Sequence, residues 1–244
     1  MPALNMASCS DGKRGRKATG SPAHQTRRTN VPHRKQEPIP ANDRPLGLWT
    51  EPGTFPSYRN GYSISFWGDL QLDFLTIMEA DPAVLEIRSR PEPVQWFDGD
   101  CWHEHTPAFS IRTRQGFVYF DVLPEKDAES TEYRRKHAAV KAVLAQRGIG
   151  FRHITKTKLR IQPRLDNARL VYMHSGEDVS QENKARVERL FKGGSAMTAA
   201  EVADRSSLPF GEALAAVLNL VWLGVLSIDM GKEIGRNSIV RRPA

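Results

Sequence analysis

Phe66-Trp67-Gly68-Asp69-Leu70-Gln71-Leu72-Asp73-Phe74-Leu75-Thr76-Ile77-Met78-Glu79-Ala80-Asp81-Pro82 is the stretch from which the fold can be read. Phe66, Leu70, Phe74, Ile77 and Met78 recur at steps of three and four, which predicts a helix burying one face. Asp81-Pro82 ends it, because proline crowds the residue before it out of helical geometry. Downstream, three runs read as strands, over residues 85–97, 101–113 and 117–123. Asp98-Gly99 and Gln115-Gly116 stand where tight hairpin turns are required, and Asp-Gly is a strong turn signal. A second helix is predicted over 131–147, with Tyr133, Val140, Val143 and Leu144 buried and Gly148 as its stop. Residues 150–155 read as a closing strand.

Four segments inside this frame carry a resemblance. They are Leu70-Gln71-Leu72-Asp73-Phe74, Asp81-Pro82, Thr106-Pro107-Ala108-Phe109 and Phe120-Asp121-Val122-Leu123-Pro124. In order and spacing they resemble the TnsA-type endonuclease subunit of heteromeric transposases, where the segments read L-E-x-D-F, D-P, T-P-D-F and V-E-V-K-P. The resemblance covers residues 46–175 and implies an α/β restriction-endonuclease-like core. It also implies Mg²⁺-dependent cleavage of the non-transferred DNA strand at a transposon end. The partners it implies are DNA, a DDE-type transposase and an ATP-dependent transposition regulator.

Nucleases of this core need at least two carboxylates around one divalent cation, and a lysine beside the attacking water. The position matching the first family carboxylate is Gln71, a neutral amide and at best a weak oxygen ligand. The second is Ala108, which offers nothing. The third pair, E-x-K, is Asp121 and Leu123 here; alternation along a strand puts both on one face. Asp121 keeps a carboxylate and is the one remaining metal-ligand candidate, whereas Leu123 carries no charge. The resemblance therefore implies a retained scaffold with cleavage weakened or lost, needing Mg²⁺ only if active. Relocated ligands are the active alternative, with Asp69, Glu104, Glu125 and Lys126 as candidates; their bland reading is solvated surface charge.

Residues 179–242 read as a second domain. Helical stretches at 181–191, 198–205 and from 209 onward precede short strand candidates at 225–228 and 238–240, the pattern of a winged helix-turn-helix. In the resembled family this region docks partner proteins. Arg186, Arg189 and Lys192 on its first helix are candidate DNA contacts instead, as are Arg88 and Arg90 on one face of the first strand run.

The chain has 244 residues, 39% of them hydrophobic, a net charge of +7 and a mean hydropathy of −0.50. Residues 1–45 hold nine Lys or Arg against three Asp or Glu, a balance of +6, which leaves +1 for the rest. That segment reads as a disordered basic arm, suited either to phosphate contact or to solubility. No apolar run reaches the roughly 18 residues of a membrane span, and the first 30 residues lack a secretory core. Two cysteines, Cys9 and Cys101, do not make a disulfide framework, so a cytoplasmic setting is expected.

Three smaller features have competing readings. His103-x-His105 sets two imidazoles on one strand face, compatible with zinc but lacking further motif ligands, so polar strand residues are the expectation. Trp49, Phe55, Tyr58, Tyr62, Phe66 and Trp67 suit either base stacking or core packing, with packing expected. A DNA-binding regulator on a nuclease-derived scaffold is the functional alternative from a different class.

Overall fold

The computed structural model describes residues 52–176 and 178–243. The basic arm and Trp49 lie outside the described residues. The chain is mixed α/β with several small sheets. A hairpin of β1 (Pro52–Pro56) and β2 (Ser63–Trp67) leads into helix α1 (Gly68–Ala80). Phe66 thus lies in β2 rather than in the helix. Leu70 and Met78 are only half-buried, and α1 is buried on most sides through Phe74, Leu75, Ile77 and Ala80. The aromatic entry segment is packing: Phe55 stacks on Tyr172 at 4.8 Å, and Trp67 is buried.

The central sheet has the order β3-β6-β7-β8. Strands β3 (Val84–Ser89), β6 (Phe109–Thr113) and β7 (Gly116–Val122) form an antiparallel meander, and β8 (Gly150–Ile154) joins β7 in parallel. The short α2 (Glu125–Glu129) and the long α3 (Thr131–Gln146) make the crossover between β7 and β8. Ser130 starts α3 by accepting the Tyr133 N–H at 3.1 Å.

Two of the expected long strands are divided. A separate hairpin, β4 (Val94–Phe97) with β5 (Trp102–His105), is inserted between β3 and β6. Arg90 takes a left-handed φ of 45°, and Pro91 and Pro93 cannot donate to a ladder. Pro107, in the connection from β5 to β6, cannot donate either. The hairpin therefore bends out and packs against α3, where Val94, Val140, Leu144 and Phe151 form a small apolar cluster.

After β8 come α4 (Lys156–Leu159) and α5 (Arg164–Met173), then α6 (Gln181–Leu190), α7 (Ala199–Ser206) and α8 (Phe210–Trp222). A three-stranded sheet, β10-β11-β9, is built from β9 (Met197–Thr198), β10 (Ser227–Ile228) and β11 (Ile239–Arg241). Helix α7 has a reciprocal capping box: the Thr198 hydroxyl accepts the Glu201 N–H, and Glu201 accepts the Thr198 N–H.

The expected boundary near residues 175–179 is not a gap in packing. One buried cluster runs from Phe55 and Phe74 through Val171 and Val187 to Val217 and Val240. Hydrogen bonds cross the same seam. Asn219 Nδ2 donates to the His174 carbonyl at 2.7 Å, and Asn167 Nδ2 donates to the Met230 and Lys232 carbonyls at 3.0 and 2.7 Å. No helix among the described residues is long and apolar enough to cross a membrane.

Candidate functional site

Strand β7 presents two different faces. Phe120 and Val122 pack against the main core, with Phe120 5.2 Å from Phe74 between ring centres. Tyr119 joins the small cluster under α3, and alternation turns Asp121 the same way. Asp121 is buried, 7% exposed, and both its oxygens are engaged. His105 Nε2 lies 2.9 Å from Oδ1 and 2.9 Å from Oδ2, and the Tyr133 hydroxyl donates to Oδ2 at 2.9 Å.

Two more imidazoles close the site. His153 stands opposite Asp121 in the parallel β7-β8 register. His137, one helical turn beyond Tyr133, packs edge-on to His153 at 4.9 Å and stacks on Phe151 at 4.8 Å. Burial, then the neighbouring His153, push the His137 imidazole below its ordinary value, so it stays neutral to lower pH. Its Nε2 is buried without a hydrogen-bond partner. Burial and then the Asp121 charge push the Tyr133 phenol upward, which keeps it a donor across the physiological range. The whole arrangement is one carboxylate, one phenol and three imidazoles.

The other positions singled out by the resemblance do not join it. Gln71 is buried on α1, where its side-chain oxygen accepts the Trp67 N–H at 3.0 Å, satisfying one orphan donor at the helix start. Ala108 packs half-buried against the main core. The Leu123 backbone N–H extends the β7-β8 pairing by donating to the Ile154 carbonyl at 3.2 Å. Among the described residues no hydrogen bond links Gln71 to Asp121. Mg²⁺ wants near-octahedral oxygen ligation, commonly one or two carboxylates with retained waters. A single carboxylate already held by an imidazole and a phenol does not fit that ion.

The relocated-ligand candidates are placed elsewhere. Glu125 Oε1 accepts from the Thr157 hydroxyl and N–H at the start of α4, each at 2.5 Å, and these bonds pull its carboxyl down to about 2. Glu104 is exposed on the face of β5 opposite His103 and His105; Asp69 and Lys126 are also exposed. The two histidines of β5 share a face but not a centre. His103 turns to Asp98 Oδ2 at 2.6 Å while His105 turns to Asp121.

Asp73 has a structural task. Its oxygens accept from Arg160 Nε at 2.6 Å and Arg169 Nη2 at 2.9 Å, fastening α1 to the α4–α5 segment. Of the expected phosphate contacts, Arg88 Nε donates to Glu86 at 2.6 Å. Arg90 is not on the β3 face. It lies beyond the end of the strand, where its left-handed backbone breaks the alternation and its guanidinium lies 5.7 Å over Trp67. Arg186 pairs with Glu182 at 2.5 Å, Arg189 Nε donates to the Ala185 carbonyl at 3.1 Å, and Lys192 is exposed just past α6. Helix α8 contains no Lys or Arg, and most of its second half is buried.

The sequence reading names His105 and Tyr133 without joining either to Asp121, and it does not single out His137 or His153. The available signal was the pairing of Tyr133 and His137 at i, i+4, which places both on one face of a predicted helix. No protein-family model matches the chain, and no curated protein matches it.

Proposed function

We propose that this chain is a TnsA-like subunit of a DNA transposition system whose nuclease centre no longer cuts. It acts in transposon-end binding and in assembly with a DDE-type transposase and an ATP-dependent regulator. One observation carries the loss of cleavage. The Asp121 carboxylate is shut between His105 and Tyr133, while Gln71, Ala108 and Leu123 supply no second ligand or lysine.

The element order supports a restriction-endonuclease-like core: helix α1, a three-stranded meander, helix α3 and a parallel closing strand. The motif positions that shape rather than react are in use, with Asp73 clamping two arginines and Phe109 stacked on Phe74 at 5.1 Å. Three helices with a small three-stranded sheet support a winged helix-turn-helix after it. The cation-free α8 favours protein docking over base reading by that helix, because phosphate-rich grooves select Lys and Arg. Arg186, Arg189 and Lys192 of the α6 region remain the DNA-contact candidates.

The test incubates full-length protein with supercoiled plasmid and Mg²⁺ or Mn²⁺, beside Asp121→Asn. The expected result is no nicking by either protein, together with DNA binding that weakens steeply as salt rises. Nicking by the wild type that Asp121→Asn abolishes sinks the inactive reading. Binding to DNA without any association with a co-expressed transposase would favour the regulator reading instead.

A further inference from the structure

The β4-β5 hairpin ends in Asp98-Gly99-Asp100-Cys101-Trp102-His103, and its tip is folded tightly. Asp98 Oδ1 accepts the N–H groups of Asp100 and Cys101, each at 2.8 Å, which fixes the carboxylate. Its other oxygen faces His103 Nε2. The His103 ring is held in turn by stacking on its cross-strand partner Trp96 at 4.6 Å, 22° from parallel. A carboxylate oxygen, a thiol sulfur and an imidazole nitrogen thereby all lie within 4.8 Å of one another, on three half-buried residues.

We propose that Asp98, Cys101 and His103 form a mononuclear site for a thiophilic divalent cation of the zinc class. The ligand types decide the class. Thiolate and imidazole suit Zn²⁺, whereas Mg²⁺ and Ca²⁺ require a shell of oxygens. Tetrahedral bonds of about 2.0–2.3 Å place neighbouring ligand atoms roughly 3.3–3.7 Å apart. Small side-chain rotations reach that spacing from the observed cluster. On binding, the Cys101 thiol gives its proton to solvent and the sulfur takes the metal, while His103 Nε2 exchanges its Asp98 contact for the ion. Three protein ligands leave one position for water or a donor from a partner. Exposed Asp100 adds negative charge beside the tip, in keeping with a cation. The bound ion ties together the two strand ends that display Phe97 and Trp102, 49% and 59% exposed and 5.4 Å apart.

The site is independent of the Asp121 centre, so its test stands apart from the transposition proposal. Full-length protein in a Cys9→Ser background, where Cys101 is the remaining thiol, is titrated with Co²⁺ as a spectroscopic probe and then with Zn²⁺. Expected are tetrahedral d–d bands and a thiolate-to-cobalt charge-transfer band saturating at one ion per chain, displaced by Zn²⁺, with proton release. Cys101→Ser should abolish the charge-transfer band, and His103→Ala should weaken Zn²⁺ affinity by at least about tenfold. Glu104→Gln, exposed and outside the ligand set, should retain both signals. No uptake by folded protein, or Co²⁺ binding unchanged in Cys101→Ser, overturns the proposal.

Discussion

Replacing Asp121 with alanine separates a structural carboxylate from a catalytic one. In a working metal site, carboxylates are held against one another, and removing one commonly relieves strain. Here the hydrogen-bond partners of Asp121 are both donors: the Tyr133 hydroxyl and His105 Nε2. Asp121→Ala orphans a phenol on a residue that is 8% exposed, at a cost of about 1–3 kcal/mol. The lost imidazole bond adds about 1 kcal/mol after the partial rehydration open to His105, whose side chain is 13% exposed. A net loss of roughly 3 kcal/mol, at about 2–4 °C per kcal/mol for a chain of this size, lowers Tm by about 6–12 °C. Asp121→Asn preserves shape and one acceptor, and should cost about 1 kcal/mol. Tyr133→Phe added to Asp121→Ala removes the orphan and should restore about 1–2 kcal/mol, a coupling measurable by a double-mutant cycle. The assay is urea and thermal unfolding by circular dichroism. An Asp121→Ala protein as stable as the wild type, or more stable, refutes the structural assignment and reopens the question of cleavage.

Two further substitutions probe the frame around that site. Asp73→Ala should destabilise by about 2 kcal/mol, since two charge-assisted bonds are lost but both arginines can rehydrate; a change below about 0.5 kcal/mol in denaturant unfolding would contradict the clamp. His137→Phe should flatten the loss of stability on acidification. The folded imidazole is shifted below its unfolded value, so its contribution is whole above the ordinary histidine pKa and declines as pH falls through it toward the folded value. His174, pushed down by burial as well, leaves a residual slope of the same sign. An unfolding-versus-pH curve parallel to that of the wild type between neutrality and mild acid would remove His137 as a source.

The parts of the fold that local chemistry dictates were legible in the sequence. Gly148 closes α3 as expected, at φ 70°, and Gly116 at φ 122° turns β6 into β7. What failed was continuity. Residues 85–97 and 101–113 read as continuous strands, yet Pro91, Pro93 and Pro107, which cannot donate to a ladder, mark the breaks. Only the left-handed backbone of Arg90 has no such letter to announce it. Helix α5 was missed for a different reason. Its buried face includes Asn167, whose amide is satisfied only by backbone from Met230, Lys232 and Ile234, more than 60 residues away. A polar residue satisfied at that range looks, in sequence, like a residue facing water.

The Asp121 site shows the same limit in its chemistry. Position 121 could be found from a local motif, because strand alternation and the flanking apolar residues constrain it. Its partners could not, because His105 reaches it only through the bent hairpin, and Tyr133 and His137 only through the crossover helix. His153 stands beside Asp121 only in one parallel register of β7 and β8, and a slip of one residue would turn it to the opposite face. That Gln71 and Leu123 carry no charge could be read from the letters alone. That the Asp121 carboxylate is engaged by a phenol and an imidazole required the pairing of strands first. The proposed loss of cleavage therefore rests less on Gln71, Ala108 and Leu123 than on the His105 and Tyr133 bonds that engage Asp121.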